Sequence, residues 1–554
     1  MMGNFIKRYK YRILTTSAAL LCSVPFIIAA FRHSYVSGDD ILTHMQRIEG
    51  MISSFRAGHI PARLHLGTLG GFAYGMGLFY PQLFLVVPAF LRILGINFIL
   101  TTNGFWVLIN ILTGLSTFFC VFRITDSGKG ALCGAAVSLF SYYRLADLFY
   151  RGSVGETTVF IFTPLLITGL YEIYTHKPKG KIWVIIGLTG ILYSHLFSFL
   201  FTVILLALFL LFTAPVWIRD RDIRRDLISA GSISMLAGAG FWMPFLEQYL
   251  TAVVLAANGN ALSPYRSAVS FQTTLSIIDY WRRGQTELLK DPVLLAYPAA
   301  LLAFLFGKKN NWKLVSALLL TGSAGLVLSS TLFPWESFGS LHHLLQFPWR
   351  MMFLTVVSLP IALGISTGGL KNRAGNWLVP VIVVFYCLIA AVPVMDHIIS
   401  GYILPSPGYR AIVNDVGAGD YLPEGADLQM IKELGRKIVS ADEDHFSEIE
   451  YKESGLYGEL IYQSNEPVDI EFPFLYYKGW TFRNDGDKAQ PAVRGPHGLV
   501  QVRIPAAPNG TVRVFYQKTV WQWAGDFLSL FGIISFVYMC KKSMSGRKHE
   551  KRKE

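Results

Sequence analysis

The sequence predicts a polytopic α-helical membrane protein with about twelve transmembrane helices and a small extracytoplasmic β-sandwich-like domain near the C-terminus. Three observations predict it. Of 554 residues, 52% are hydrophobic and only 15% charged, where a soluble chain carries roughly 25% charged. Apolar runs approaching the roughly 20 residues needed to cross a bilayer recur along the chain. Segment 456–518 instead alternates with a period of two, as half-buried strands do. This composition excludes disorder, coiled coil, collagen and an ordinary soluble enzyme.

The elements follow in order. Apolar runs at 11–31, 101–122, 130–147, 157–174, 227–246, 291–307, 312–332, 350–367, 376–395 and 519–540 are expected spans. The stretch 181–214 is long enough for two short spans turning near Ser194 and His195, which brings the number to twelve. The run 79–97 contains Pro81, Pro88 and Arg92, and is expected to lie in the outer interface rather than to cross. Residues 11–31 read as an uncleaved anchor rather than a signal peptide, because the apolar stretch exceeds the usual h-region.

Positive charge supports this arrangement. With 79–97 on the surface, Lys7–Arg12, Arg123/Lys129, Lys177–Lys181, Arg219–Arg225, Lys308–Lys313, Lys371/Arg373 and the tail from Lys541 all fall on one side. They make up 25 of the 49 basic residues. The positive-inside rule makes that side cytoplasmic, with both termini inside. The net charge of +13 then reflects topology, and no nucleic-acid partner is expected. The chain divides into a membrane region 1–395 with outer loops 32–100 and 247–290, and an extracytoplasmic segment 396–518 that is β-rich from about 456. A final span 519–540 and a basic cytoplasmic tail 541–554 follow. In the β-rich part, Asp485-Gly486 and Asn509-Gly510 mark turns. The five cysteines lie in or beside apolar runs without any CxxC, so no disulfide framework or zinc knuckle is implied.

The remaining basic residues are unusual. Outside the cytoplasmic set and segment 396–518 there are eleven Arg and one Lys, whereas the cytoplasmic set holds fifteen Lys and ten Arg. The planar, weakly hydrated guanidinium fork suits phosphate and carboxylate. An Arg-rich outer face therefore points to a phosphorylated lipid; for any one Arg, pairing with Glu49, Asp147 or Glu156 is an equal alternative.

Carboxylates gather beside the expected membrane surface. Asp39 and Asp40 follow Gly38 just after the first span. Either can cap the next helix. As the less common alternative, one of them can serve as general base, since adjacent acids repel and raise the pKa of one. Asp40 and His44 are four apart and share a helix face, so a divalent metal such as Mg or Mn is open to them. A second group, Tyr143-Arg144-Leu145-Ala146-Asp147 and Arg151 through Glu156, falls on the same side. A third, His342-His343 and Gln346-Phe347-Pro348-Trp349-Arg350, precedes a span. Glu156 also complements a helix N-terminus, Arg350 also suits a snorkelling anchor, and His195 reads first as a buried core histidine.

Together, Gly38-Asp39-Asp40 with His44 and Arg47–Gly50, the Tyr143–Glu156 stretch, Gln346–Arg350 and Tyr476-Tyr477-Lys478-Gly479-Trp480 carry a resemblance. The chain resembles the GT-C superfamily of integral-membrane glycosyltransferases, most nearly the YfhO-like and "6-pyruvoyl-tetrahydropterin synthase-related" bacterial membrane proteins. The similarity runs over most of residues 12–540, although the chain is shorter than typical YfhO-like proteins. It implies a bacterial plasma-membrane enzyme that moves a sugar from a polyprenyl-phosphate-linked donor to an envelope glycan, teichoic-acid or lipid acceptor. Asp39 or Asp40 would be the base, and His44, Arg144, Arg151, Glu156 and Arg350 would bind substrate. Two other readings compete: a non-catalytic polyprenyl-lipid-binding assembly protein, and a lipid or glycan transporter. A hydrolase using Asp40, His44, His342 and His343 would need metal. Tyr476, Tyr477 and Trp480 could stack on sugars, but a place in the β-domain core is the plainer expectation.

Overall fold

The computed structural model describes residues 2–251, 254–255, 293–306, 311–330, 332–338, 348–370, 373–405, 421–441 and 444–550. The chain is mostly helical. Among the described residues seven helices are long and apolar enough to cross a membrane, or eight if a bent pair counts as one span. This is the architecture of a multi-pass membrane protein.

The bent pair comes first. Helix α1 (Met2–Cys22) and helix α2 (Val24–Phe31) meet at 59°, so the run expected as one continuous span is broken at Ser23. Pro25, in the first turn of α2, has no N–H to continue the α1 ladder. Strand β1 (Ser34–Val36) and helix α3 (Ile41–Arg56) follow. After the one-turn α4 (Met76–Phe79) comes α5 (Val86–Ile93), inside an apolar stretch, Leu83–Ile93, that is shorter than the candidate spans. Val86, Val87 and Phe90 are exposed along it.

Helix α6 (Phe98–Thr125) opens where the Asn97 side chain accepts from the Ile99 and Leu100 N–H groups. The run 130–147, expected as one span, is instead a twelve-residue α7 (Gly128–Leu139) followed by the single turn α8 (Tyr142–Ala146) and a π-turn, Asp147–Arg151. Helix α9 (Val154–Tyr174) is long and apolar enough to cross. Helices α10 (Gly180–Leu192) and α11 (Leu196–Phe212) are short and meet at residues 193–195. The one-turn α12 (Ala214–Trp217) leads to α13 (Arg221–Thr251). Then come α14 (Val293–Phe306), α15 (Trp312–Ser329), α16 (Met352–Gly368) and α17 (Arg373–Gly401). The span containing α16, Pro348–Gly368, is 94% buried and forms the centre of the bundle. Strand β2 (Val254–Leu255) precedes α14, and strand β3 (Ile403–Pro405) pairs antiparallel with β1, tying the chain after α17 to the chain after α2.

The C-terminal part is a β domain fed by β4 (Leu422–Pro423) and α18 (Leu428–Leu434). Its strands are β5 (Val439–Ser440), β6 (Phe446–Ser454), β7 (Tyr457–Ser464), β8 (Val468–Leu475), β9 (Trp480–Asn484), β10 (Gln490–Pro491), β11 (Val493–Arg494), β12 (Leu499–Ile504) and β13 (Ala507–Tyr516). They form two antiparallel sheets, ordered β10-β9-β13-β7-β6 and β11-β12-β8-β5, which share one apolar core. The strands begin at 439, earlier than the 456 expected from alternation. The core also recruits Leu66, Phe72 and Tyr74 from the loop after α3, and Leu475 N–H donates to the Phe72 carbonyl at 2.8 Å. Tyr477 and Trp480 are fully buried there, with Tyr476 packed against them, so these aromatics fill the core.

The last helix, α19 (Val520–Glu550), docks along α13. A Cβ at Gly532 would lie 2.4 Å from Ala237 N, and Ser529 donates to the Ala237 carbonyl at 2.6 Å. Small residues let the two backbones approach, as membrane helices require. A polar seam fixes the β domain to the bundle. Arg63 grips Asp526 with both guanidinium nitrogens, at 2.6 and 3.3 Å. Gln248 makes paired bonds with the Lys478 backbone at 2.9 and 3.0 Å.

Candidate functional site

The site lies at the end of the bundle that carries the β domain, and two backbone segments build it. The Gly38–Asp40 turn lies against the 147–152 turn: Asp39 N–H donates to the Tyr150 carbonyl at 3.0 Å and Asp40 N–H to the Arg151 carbonyl at 2.7 Å. Glycine makes this approach possible from both sides. A Cβ at Gly38 would sit 3.0 Å from Tyr150 O, and one at Gly152 would overlap Ile41 at 2.3 Å. Gly152 also has φ of 64°, which disfavours any side chain.

Glu156, in the first turn of α9, is the hub. Its carboxylate takes Arg151 Nη1 at 2.9 Å, Arg350 Nε at 3.2 Å and the Tyr143 hydroxyl at 3.1 Å, with His195 Nε2 at 3.8 Å. Arg151 also reaches Asp147 at 2.6 Å and Asp40 at 4.0 Å. Aromatic faces cover the guanidiniums: Arg151 lies 4.6 Å from the Trp349 ring and Arg350 lies 5.1 Å from Phe197. Such contacts add about 0.5–2 kcal/mol each.

Asp40 stands at the rim, its side chain 46% exposed. It occupies the N-cap position of α3, yet its carboxylate makes no capping hydrogen bond. The capping alternative open to the sequence is not realised, and the carboxylate faces Arg151 instead. Surrounding protein raises its pKa above the ordinary aspartate range, with Arg151 opposing and Glu156 adding to the rise. Asp39 is exposed on the outer side of the same turn. Burial, then the charge of Glu156, pushes Asp147 well above its usual range. Arg151 is raised well above its own: burial opposes its charge, but Glu156 and Asp147 outweigh it.

A third guanidinium stands nearby. Arg47 on α3 is buried and bonds the Pro81 carbonyl at 2.6 Å and His44 Nδ1 at 3.2 Å, with its charge 4.1 Å from the Tyr80 ring. Among the described residues its Nε has no hydrogen-bond partner. Tyr80 lies between His44 and His195, ring centroids 6.2 and 6.1 Å apart, and burial lifts its pKa to about 12. Burial and then Arg47 hold His44 well below the usual histidine range, so it stays neutral.

The sequence-predicted residues therefore separate. Asp40, His44, Arg151, Glu156 and Arg350 come together, and His195, buried as expected and bonded to Ser198 Oγ at 2.9 Å, lies beside them. Arg144 does not: its fully buried side chain turns into the bundle, towards Asn110 and the Leu139 carbonyl. Arg63 and Arg92 are taken by Asp526 and Glu49. His342, His343, Gln346, Phe347, Arg266, Arg282, Arg283, Lys290 and most of loop 247–290 lie outside the described residues. Tyr80 was not foreseen as a cluster member; it sits in an apolar stretch where nothing in the pattern separates a wall of a site from a core residue.

A divalent metal does not fit between Asp40 and His44. Val154 N–H lies 3.3 Å from His44 Nε2 and Arg47 lies against Nδ1, so donors crowd both nitrogens and cations surround the pair. Among the described residues no group of three or more His, Cys, Asp or Glu is arranged to hold an ion. A cavity of about 170 Å³ lies at the opposite end of the bundle, lined by Thr125, Phe304, Trp312 and Ser366, away from this chemistry.

No protein-family model matches the chain, and no curated protein matches it in sequence.

Proposed function

We propose that the chain is a GT-C-like membrane glycosyltransferase with about twelve spans, working on the extracytoplasmic face of a bacterial plasma membrane. It would transfer a sugar from a polyprenyl-phosphate carrier to an envelope acceptor. The observation that carries this reading is a carboxylate with no capping bond, Asp40, at the rim of a buried cluster of guanidiniums, one of which, Arg47, bonds only neutral groups among the described residues. Three guanidiniums (Arg47, Arg151, Arg350) meet three carboxyls (Asp40, Asp147, Glu156), and burial with the charge of Glu156 raises the pKa of Asp147. An anion is what such a site accepts, and Arg forks suit phosphate. The Arg bias of this face of the sequence supports the same ligand.

In this reading Asp40 takes the proton of an acceptor hydroxyl as its oxygen attacks the anomeric carbon. The bond from that carbon to the phosphate oxygen breaks, and its electron pair leaves with the phosphate. Arg47, which has no carboxylate within ion-pair distance among the described residues, neutralises that charge together with Arg151 and Arg350, the kind of preorganised stabilisation expected to weigh most. Glu156 holds the last two guanidiniums in place. A phosphate leaving group needs little acid assistance, so one carboxylate base suffices, and direct displacement inverts the anomeric centre.

The test is mass spectrometry of lipid extracts and envelope polymers from a deletion strain. The reading expects a sugar-charged polyprenyl phosphate to accumulate and one sugar to vanish from a polymer, both reversed by the wild-type gene. Unchanged lipids and polymers would overturn it in favour of a binding or transport role.

A further inference from the structure

Arg144 was expected to bind substrate, but the structure gives it a different environment. It is fully buried. Its Nη2 donates to Asn110 Oδ1 at 2.5 Å and its Nη1 to the Leu139 carbonyl at 3.1 Å. Asn110 is the thirteenth residue of α6, about 18 Å along the helix from its Phe98 end. The guanidinium is therefore a cation deep inside the bundle, and among the described residues no carboxylate lies within ion-pair distance of it. Such a group is costly in a membrane protein, where buried charge ordinarily marks function. Leu139 ends α7, so the negative end of that helix offsets part of the cost.

Arg144 reaches the break in the first span from two directions. Asn110 Nδ2 donates to Ser23 Oγ at 2.9 Å, and Ser23 Oγ donates to the Ala19 carbonyl at 2.7 Å. Cys22 Sγ lies 3.8 Å from Arg144 Nη1 and 3.5 Å from the Leu139 carbonyl. Residues 22–24 are where α1 and α2 bend by 59°. From that bend the chain runs through α2 and β1 to Asp40. From Arg144 itself it runs through α8 to Asp147 and Arg151. The two branches meet again where Asp39 and Asp40 bond the 150–151 carbonyls.

We propose that Arg144 is a positioning residue that fastens the broken first span to α6 and α8, and so fixes Asp40 opposite Arg151 and Glu156. A planar fork is required, because one side chain must satisfy an amide on α6 and a carbonyl at the end of α7 together; a lysine ammonium does so only in part. As a statement about Asp40 and a reaction, the proposal rests on the transferase reading, but the geometry it asserts can be measured without any reaction.

The experiment uses the full-length protein in membranes with Asp39→Cys and Tyr150→Cys, joined by a short bis-maleimide and read as a linked peptide by mass spectrometry. A second pair, Ile60→Cys with Lys518→Cys, reports on the domain seam as control; the Lys518 side chain lies 3.3 Å from the Ile60 carbonyl. Adding Arg144→Gln is expected to slow the first cross-link about tenfold, Arg144→Lys to slow it less, and neither to change the seam cross-link. Asn110→Ala, which removes one of the two partners, is expected to resemble Arg144→Lys and serves if Arg144→Gln does not fold. An unchanged first cross-link in folded Arg144→Gln and Asn110→Ala overturns the proposal, as does equal loss at both pairs. If the first cross-link slows as expected while deletion of the gene leaves lipids and polymers unchanged, the positioning role stands and the transferase reading falls.

Discussion

At the scale of residues, the account turns on two carboxyls that look alike in sequence and behave differently in the fold. Glu156 accepts from Arg151 and Tyr143 and faces Arg350, whereas Asp147 pairs with Arg151 and burial raises its pKa. Glu156→Gln therefore strands two buried guanidiniums and is expected to cost about 3–5 kcal/mol of stability. Asp147→Asn keeps an acceptor for Arg151 while Glu156 still pairs with that guanidinium, and is expected to cost about 1 kcal/mol or less. Thermal unfolding of the detergent-solubilised variants decides; equal losses would contradict the assignment. Asp40 gives a pH prediction. Its pKa is raised, and protonation removes the base, so the transfer rate should fall as pH drops through a value above the ordinary aspartate range near about 3.9. A rate–pH profile whose acid limb lies within that ordinary range would contradict the assignment. Asp40, Arg151 and Glu156 were legible in the sequence because charge beside a membrane face is conspicuous. Arg144 was misplaced for the same reason: the sequence records the charge but not whether its five-residue helix turns it outward or into the bundle.

At the scale of elements, close approach decides the geometry. Gly155 precedes the hub carboxylate, and a Cβ there would lie 2.6 Å from the Tyr80 hydroxyl and 3.0 Å from the Ser194 carbonyl. Gly155→Ala must displace the start of α9 from the α10–α11 turn. It is expected to cost about 1–3 kcal/mol by overpacking and to lower transfer out of proportion to protein level, measured by envelope sugar against immunoblot. Full transfer in that variant would show that the Tyr80 wall is not part of the site. Hydrophobic runs gave the positions of most helices because apolar length is a direct signal. They could not reveal the bend at Ser23 or the short α7, since a run of apolar residues reads the same whether it continues as one helix or turns. The strands at 439–454 were missed because much of β6 is exposed and lacks the alternation that marks β12.

At the scale of the whole molecule, the β domain is clamped to the helical bundle. Residues 64–79 lie in its core, and Arg63 and Gln248 tie its base to α19 and α13. Arg63 is buried and Asp526 is one-quarter exposed, so solvent weakens their pairing only in part. Arg63→Ala leaves Asp526 with Lys518 at 3.0 Å and is expected to cost about 1–3 kcal/mol. It should also speed protease cleavage between the β domain and α19, read by limited proteolysis; an unchanged cleavage rate would show that the seam does not hold the domain. The sequence marked a domain here by its acidic charge and period-two pattern. It gave no sign that the loop after α3 belongs to that domain, because contacts between residues some 400 positions apart leave no local pattern.

The central claim is that Asp40, and not its neighbour Asp39, is the base of a sugar transfer. The most direct measurement is the sugar composition of purified envelope polymers from a deletion strain carrying wild type, Asp40→Asn or Asp39→Asn at matched protein levels. The account predicts that wild type and Asp39→Asn restore the missing sugar and Asp40→Asn does not. Full restoration by Asp40→Asn would contradict it and leave the cluster as a site that binds a phosphorylated lipid without transforming it.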